Sequence, residues 1–141
     1  MTAAHDLDRF VEAQAGSYAT ALSELRAGAK RSHWMWFIFP QIAGLGQSAM
    51  ARRYAIRDLD EARAYLAHPV LGSRLRECVA AVSAWAGQRS PEAIMGGIDA
   101  IKLRSSLTLF EAAGGGAVFA AALDGLYGGE RDGATLALIQ D

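Results

Sequence analysis

One cysteine, Cys78, stands in the 141-residue chain, so no internal disulfide can form and an apolar core must hold the fold. Prolines number only three, and the composition is 52% hydrophobic with 21% charged, which excludes global disorder. No apolar run approaches the roughly 18 residues that span a bilayer. The opening "MTAAHDLDRFVEAQ" carries acids where a signal peptide has a basic start and an apolar run, so the expected setting is cytoplasmic, with no membrane partner. Alanine, glycine and arginine richness points to a bacterial source. A pI near 6.3 lacks the basic footprint of nucleic-acid binding. Catalytic and cofactor signatures are missing too. The "GLG" at 44–46 follows no credible strand, there is no P-loop and no nucleophile elbow, and His5, His33 and His68 are too scattered to hold a metal. No cofactor or metal is expected, and no enzyme class is assigned.

Helix punctuation is abundant. Asp6 is placed to cap a first helix ending at Gly16, and Ser17 a second ending near Gly28. Asp58 with Glu61 makes a capping-box-like start, Pro69 closes that helix and opens the next, and Ser90-Pro91 opens another. Asp99 is the expected cap of "AIKLRSSLTLFEAA", and Asp132 that of the last helix. Cys78 falls on the apolar face of its helix, the position of a buried, inert thiol. Alternating strand patterns are nearly absent; only "WMWFIF" has strand-like composition, and it has no partner strand. The expectation is a single all-α domain over residues 1–141, a bundle of about six to eight short helices.

Charge is unevenly spread. Six Lys or Arg and no acid lie between Arg26 and Arg57, whereas five acids face one arginine from Leu107 onwards. A basic segment can draw an anion, although such charges can equally be solvated and neutralised in space.

Two stretches could carry chemistry. In "KRSHWMWFIFPQ", Lys30, Arg31 and His33 precede two tryptophans, a methionine, two phenylalanines and an isoleucine at positions 34–39. A Trp34 or Trp36 face can stack on a planar ring while nearby cations hold a phosphate, and His33 could move a proton near neutral pH. So dense an aromatic run is also the mark of a core anchor. In "DAIKLRSSLTLF", helical spacing puts Asp99, Lys102, Ser105 and Ser106 on one arc of an otherwise apolar helix. A lysine beside two hydroxyls suits an anion, and an internal Lys102–Asp99 pair at i, i+3 suits it as well.

With "HWMWFIFPQIAGLG", "YAIRDLDEARAYLAHPVLGSRL" and "DAIKLRSSLTLF" in this order, the chain resembles the bacterial domain-of-unknown-function family 1810 over about residues 6–139. The resemblance implies a compact, mostly helical fold and no established function. The calpastatin-like label carried by some members would require a long disordered chain, which this is not. A site shared by the family would use the polar residues of those motifs: His33, Gln41, Asp99, Lys102, Ser105 and Ser106, with Trp34 or Trp36 as a wall. The functional expectation is a pocket between segment 33–41 and helix 99–112 for an anionic small molecule, nucleotide-like ligands among the candidates. Lys30 or Arg31 would help to hold its charge, and His33 is the best catalytic candidate. The alternative is a non-catalytic protein-interaction module that uses the Trp/Phe-rich segment.

Overall fold

The computed structural model describes residues 6–140, and His5 lies outside them. Ten helices follow one another: α1 (Asp8–Ala15), α2 (Tyr18–Arg26), α3 (Met35–Ile38), α4 (Ala49–Arg53), α5 (Leu59–Ala67), α6 (Leu71–Ser83), α7 (Pro91–Met95), α8 (Gly97–Ala112), α9 (Ala117–Tyr127) and α10 (Gly133–Ile139). Seven have seven or more residues, and the described residues contain no strand. The all-α bundle expected from the punctuation is what forms.

The starts show which cues act. Side-chain oxygens of Asp58, Ser90 and Asp132 accept from the amides of Glu61, Ala93 and Thr135 at 2.9, 3.0 and 3.0 Å, satisfying donors that have no partner inside the helix. Three expected caps do not form. Leu7, not Asp6, precedes α1, and Ser17 precedes α2 without a side-chain bond. Asp99 is displaced because α8 starts earlier: Gly96, at φ 88°, turns the chain directly from α7 into α8. At the α5–α6 corner Pro69 lies between the helices, and His68 Nδ1 accepts from the amides of Val70 and Leu71 at 3.1 and 3.2 Å. "WMWFIF" is neither strand nor long helix. One turn, α3, gives way to extended chain, whose Ile42 makes an isolated parallel bridge with Ile56.

Two hubs organise the bundle. Helix α6 packs on α2, α5 and α9, and α8 packs on α5, α7, α9 and α10. Every residue of α8 from Ser105 to Phe110 is buried, so the helix needs no polar face there. Two of its three small polar residues there are absorbed locally: Ser105 and Thr108 hydroxyls donate to the carbonyls of Ile101 and Arg104 at 3.2 and 2.8 Å. Cys78 is buried in α6, and desolvation pushes its thiol up to about 12, so it is inert at neutral pH.

The corner between α5 and α6 depends on one missing methyl. A Cβ at Gly72 would lie 2.1 Å from the Leu66 carbonyl oxygen. Alanine is the better helix former by about 1 kcal/mol, yet the clash is with backbone and cannot be relieved by a rotamer. Gly72→Ala is therefore expected to lose about 2 kcal/mol in urea denaturation; a neutral or stabilised variant would show that the corner moves freely.

Candidate functional site

The first motif is held by an acid. Glu24, in the last turn of α2, accepts from the amides of Arg31 and Ser32 at 2.7 and 3.0 Å, from Trp34 Nε1 at 3.0 Å, and from the Ser32 hydroxyl at 2.6 Å. Partial desolvation pushes its pKa up, but these four bonds outweigh that and hold it at about 2. A depressed carboxyl contributes stability that is complete above the ordinary Glu range and is lost as pH falls through it towards the folded value. Acid denaturation of the parent should therefore steepen between about pH 4.5 and 2 relative to Glu24→Gln. Identical slopes for the two proteins in that window would remove Glu24 as the clamp.

Tied down in this way, the segment sends Trp34 into the core at 1% exposure, and Met35, Phe37, Ile38 and Phe39 follow it. Only Trp36 among positions 34–39 is half-buried. Lys30 turns back over the Trp34 ring, 4.9 Å from its centroid, and donates to the Ser32 carbonyl at 2.6 Å. Its amide also bonds the Ile94 carbonyl at 2.7 Å, which fastens the motif to α7.

Here the two motifs meet. Lys30 Nζ lies 2.9 Å from Asp99 Oδ2, and Lys102 Nζ lies 3.8 Å from Asp99 Oδ1. The Lys30 side chain is 8% exposed and that of Lys102 is 26% exposed, so the inner lysine holds the carboxylate and the outer one reaches towards solvent. Two lysines and one carboxylate leave the group at +1. Lys102 also stands 5.9 Å from the Trp36 ring centroid.

Lys102 lines two hollows. An open cleft of about 300 Å³ lies between segment 41–46 and α8; Gln41, Leu45, Ile98, Ile101, Ser105 and Asp132 line it together with Lys102. A nook of about 10 Å³, large enough for about one water, is walled by Trp36, Phe39, Tyr54 and, again, Lys102. Gln41 and Gly46 border both. The Ile42–Ile56 bridge fixes Gln41, whose carbonyl accepts from the Ile56 amide at 2.8 Å. A Cβ on Gly46 would sit 2.4 Å from that of Ala51, so the segment is pressed directly onto α4.

The remaining predicted residues divide. Arg31 and His33 are exposed and border neither hollow, so geometry gives His33 no partner for acid–base work there. Trp34 is buried and cannot stack on a ligand. Ser105 lines the cleft, but its hydroxyl lies 3.2 Å from Asp132 Oδ2, which also takes the Thr135 amide and hydroxyl at 3.0 and 2.5 Å. That carboxylate is a helix cap with its oxygen filled, not a base waiting for a proton. Ser106 is buried with its hydroxyl unpaired. Among the described residues no cluster of His, Cys, Asp and Glu could hold a metal ion, and no helix is long and apolar enough to cross a membrane.

Sequence reading missed Glu24, Asp132 as a cleft residue, and the exposed pair Ile98 and Ile101. Glu24 did leave a signal: an acid in a helix's last turn opposes the helix dipole and so needs another reason to be there. The isoleucines left a weaker one, two β-branched residues flanking the polar arc in a helix's first turns.

No curated protein matches this chain. A solved structure does: the crystal structure of the conserved hypothetical protein Rv1873 from Mycobacterium tuberculosis at 1.38 Å is 52% identical. The match covers 95% of this chain and 96% of that one, with a TM-score of 0.91. A family model described as "Protein of unknown function (DUF1810)" matches residues 4–139. The chain belongs to the DUF1810 family of proteins of unknown function.

Proposed function

We propose that the cleft between segment 41–46 and the start of α8 binds a small anionic molecule, with Lys102 as its charge anchor and the Gln41 amide beside it. One observation carries the reading. Asp99 sits closer to Lys30 than to Lys102, 2.9 against 3.8 Å, so the excess positive charge of the group lies on the lysine at the cleft. The nucleotide-like refinement gains nothing here, because the hollow beside the Trp36 ring has room for about one water and not for a base. The rival reading, a partner surface on the Trp/Phe-rich segment, loses its footing where five of the six residues from Trp34 to Phe39 are buried. A reducing, cytoplasmic setting accords with the lone, buried Cys78.

Nitrogen-edited NMR titration of the full chain with nucleotides, sugar phosphates and small carboxylates tests the proposal. Ligands should shift the amides of 41–46 and 98–105. Lys102→Ala should weaken binding at least tenfold, the size of one charge-assisted hydrogen bond. It should also unfold within about 1 kcal/mol of the parent, since an i, i+3 pair held only at 3.8 Å and partly open to solvent contributes little. His33→Ala should bind like the parent. Failure of the parent to bind any of the panel, or of Lys102→Ala to weaken binding, overturns the reading.

A further inference from the structure

The walls of the cleft narrow the class of anion. We infer that its ligand is a small monocarboxylate with an apolar or aromatic body, an inference that rests on the reading above and goes further in naming what binds. Charge comes first. The Lys30–Asp99–Lys102 group offers a single uncompensated positive charge, and Lys102 is the member that faces the cleft. On the same cleft stands Asp132, whose Oδ1 meets Arg104 Nη2 only at 3.8 Å. Within a hollow of about 300 Å³ any ligand held by Lys102 is also close to that carboxylate. A phosphate monoester is close to doubly charged at neutral pH. Its second charge finds no second cation among the residues lining this cleft and meets the Asp132 carboxylate there, so the larger hydration shell that a dianion gives up is offset by one lysine alone. A carboxylate carries one charge and matches one lysine.

Apolar surface comes second. Ile98 and Ile101 are 74% and 61% exposed, an arrangement their side chains would abandon for a buried face if one were available. Both stand on the cleft beside Leu45, within a turn of Lys102. An apolar body lying along them while its carboxylate meets Lys102 would cover surface that the fold itself leaves wet. A volume near 300 Å³ is at the small end of ligand sites and suits a body of one ring or a short chain.

Three matched probes separate the features: phenylacetate, phenyl phosphate and benzyl alcohol, each titrated into labelled full-length protein. Phenylacetate should shift the amides of 41–46 and 98–105 and bind at least tenfold tighter than phenyl phosphate, and benzyl alcohol should cause no comparable shift. Ile101→Ser, at an exposed position, should weaken phenylacetate at least threefold and leave acetate unchanged. Asp132→Asn keeps a competent cap, since asparagine caps as well as aspartate, and removes the charge. It should narrow the gap between phenylacetate and phenyl phosphate at least threefold. Phenyl phosphate binding as tightly as phenylacetate overturns the monocarboxylate inference and leaves the anion reading standing. If neither probe shifts these amides, and nucleotides and sugar phosphates do not either, both are overturned.

Discussion

Trp34→Ala is expected to destabilise the protein by about 4 kcal/mol, the largest effect of any single change considered for this chain. The indole is among the largest fully buried side chains and packs 6.2 Å from the Phe39 ring, so deletion leaves a cavity that neighbours on both sides cannot fill. Its loss also reaches two charged groups. Glu24 loses the Trp34 Nε1 donor at 3.0 Å, and Lys30 loses the ring face beneath its ammonium. For a chain of this length the change corresponds to a drop in Tm of roughly 12–16 °C. Trp34→Phe separates the causes. It keeps a six-membered ring in the core but removes the pyrrole part of the indole with its N–H, so it should cost about 1–2 kcal/mol, well short of the alanine change. A calorimetric loss below about 1.5 kcal/mol for Trp34→Ala would mean that the ring is not the anchor its burial implies.

How much of this was legible beforehand depended on whether a residue's partner lay close in sequence. Asp58, Ser90 and Asp132 cap helices whose amides begin three residues later, and such local chemistry can be read from one chain. The position of Asp99 could not. Gly96-Gly97 reads as a break, and only the positive φ of Gly96 shows that the pair turns the chain and starts α8 at once. The aromatic run was legible as core by density, and five of its six residues are buried. Which tryptophan stayed at the surface was set by Glu24, a residue ten positions upstream with no motif around it. Two polar sets, one at the basic motif and one on α8, could each be named. That Lys30 and Asp99 would meet was a property of the packing of the 30–39 segment against α7 and α8, which no periodicity encodes. His33 shows the opposite failure: its chemistry was attractive, yet the turn that buries Trp34 leaves the imidazole outside both hollows.

Asp99→Ala is expected to be the second most damaging change, at about 3 kcal/mol, and for a different reason. Lys30 is only 8% exposed, so removing the carboxylate strands a nearly buried ammonium with one carbonyl and one ring face as partners. The cost falls at the lower end of that for broken buried pairs because Asp99 itself is 21% exposed and some water can reach the gap. If the lone charge is the cause, taking away the lysine as well must restore stability. Lys30→Met combined with Asp99→Leu should then lie closer to the parent than Asp99→Ala alone, a non-additivity of at least 1 kcal/mol in a denaturation cycle. The same carboxylate restrains the cleft. With Asp99→Asn the group rises from +1 to +2 while the side chain keeps its shape, so Lys102 should hold an anion more tightly even as the fold weakens. Stability and affinity moving in opposite directions at one residue is a signature that a purely structural ion pair does not produce. Parallel loss of both in Asp99→Asn would mark the triad as scaffold and remove Lys102 from the site.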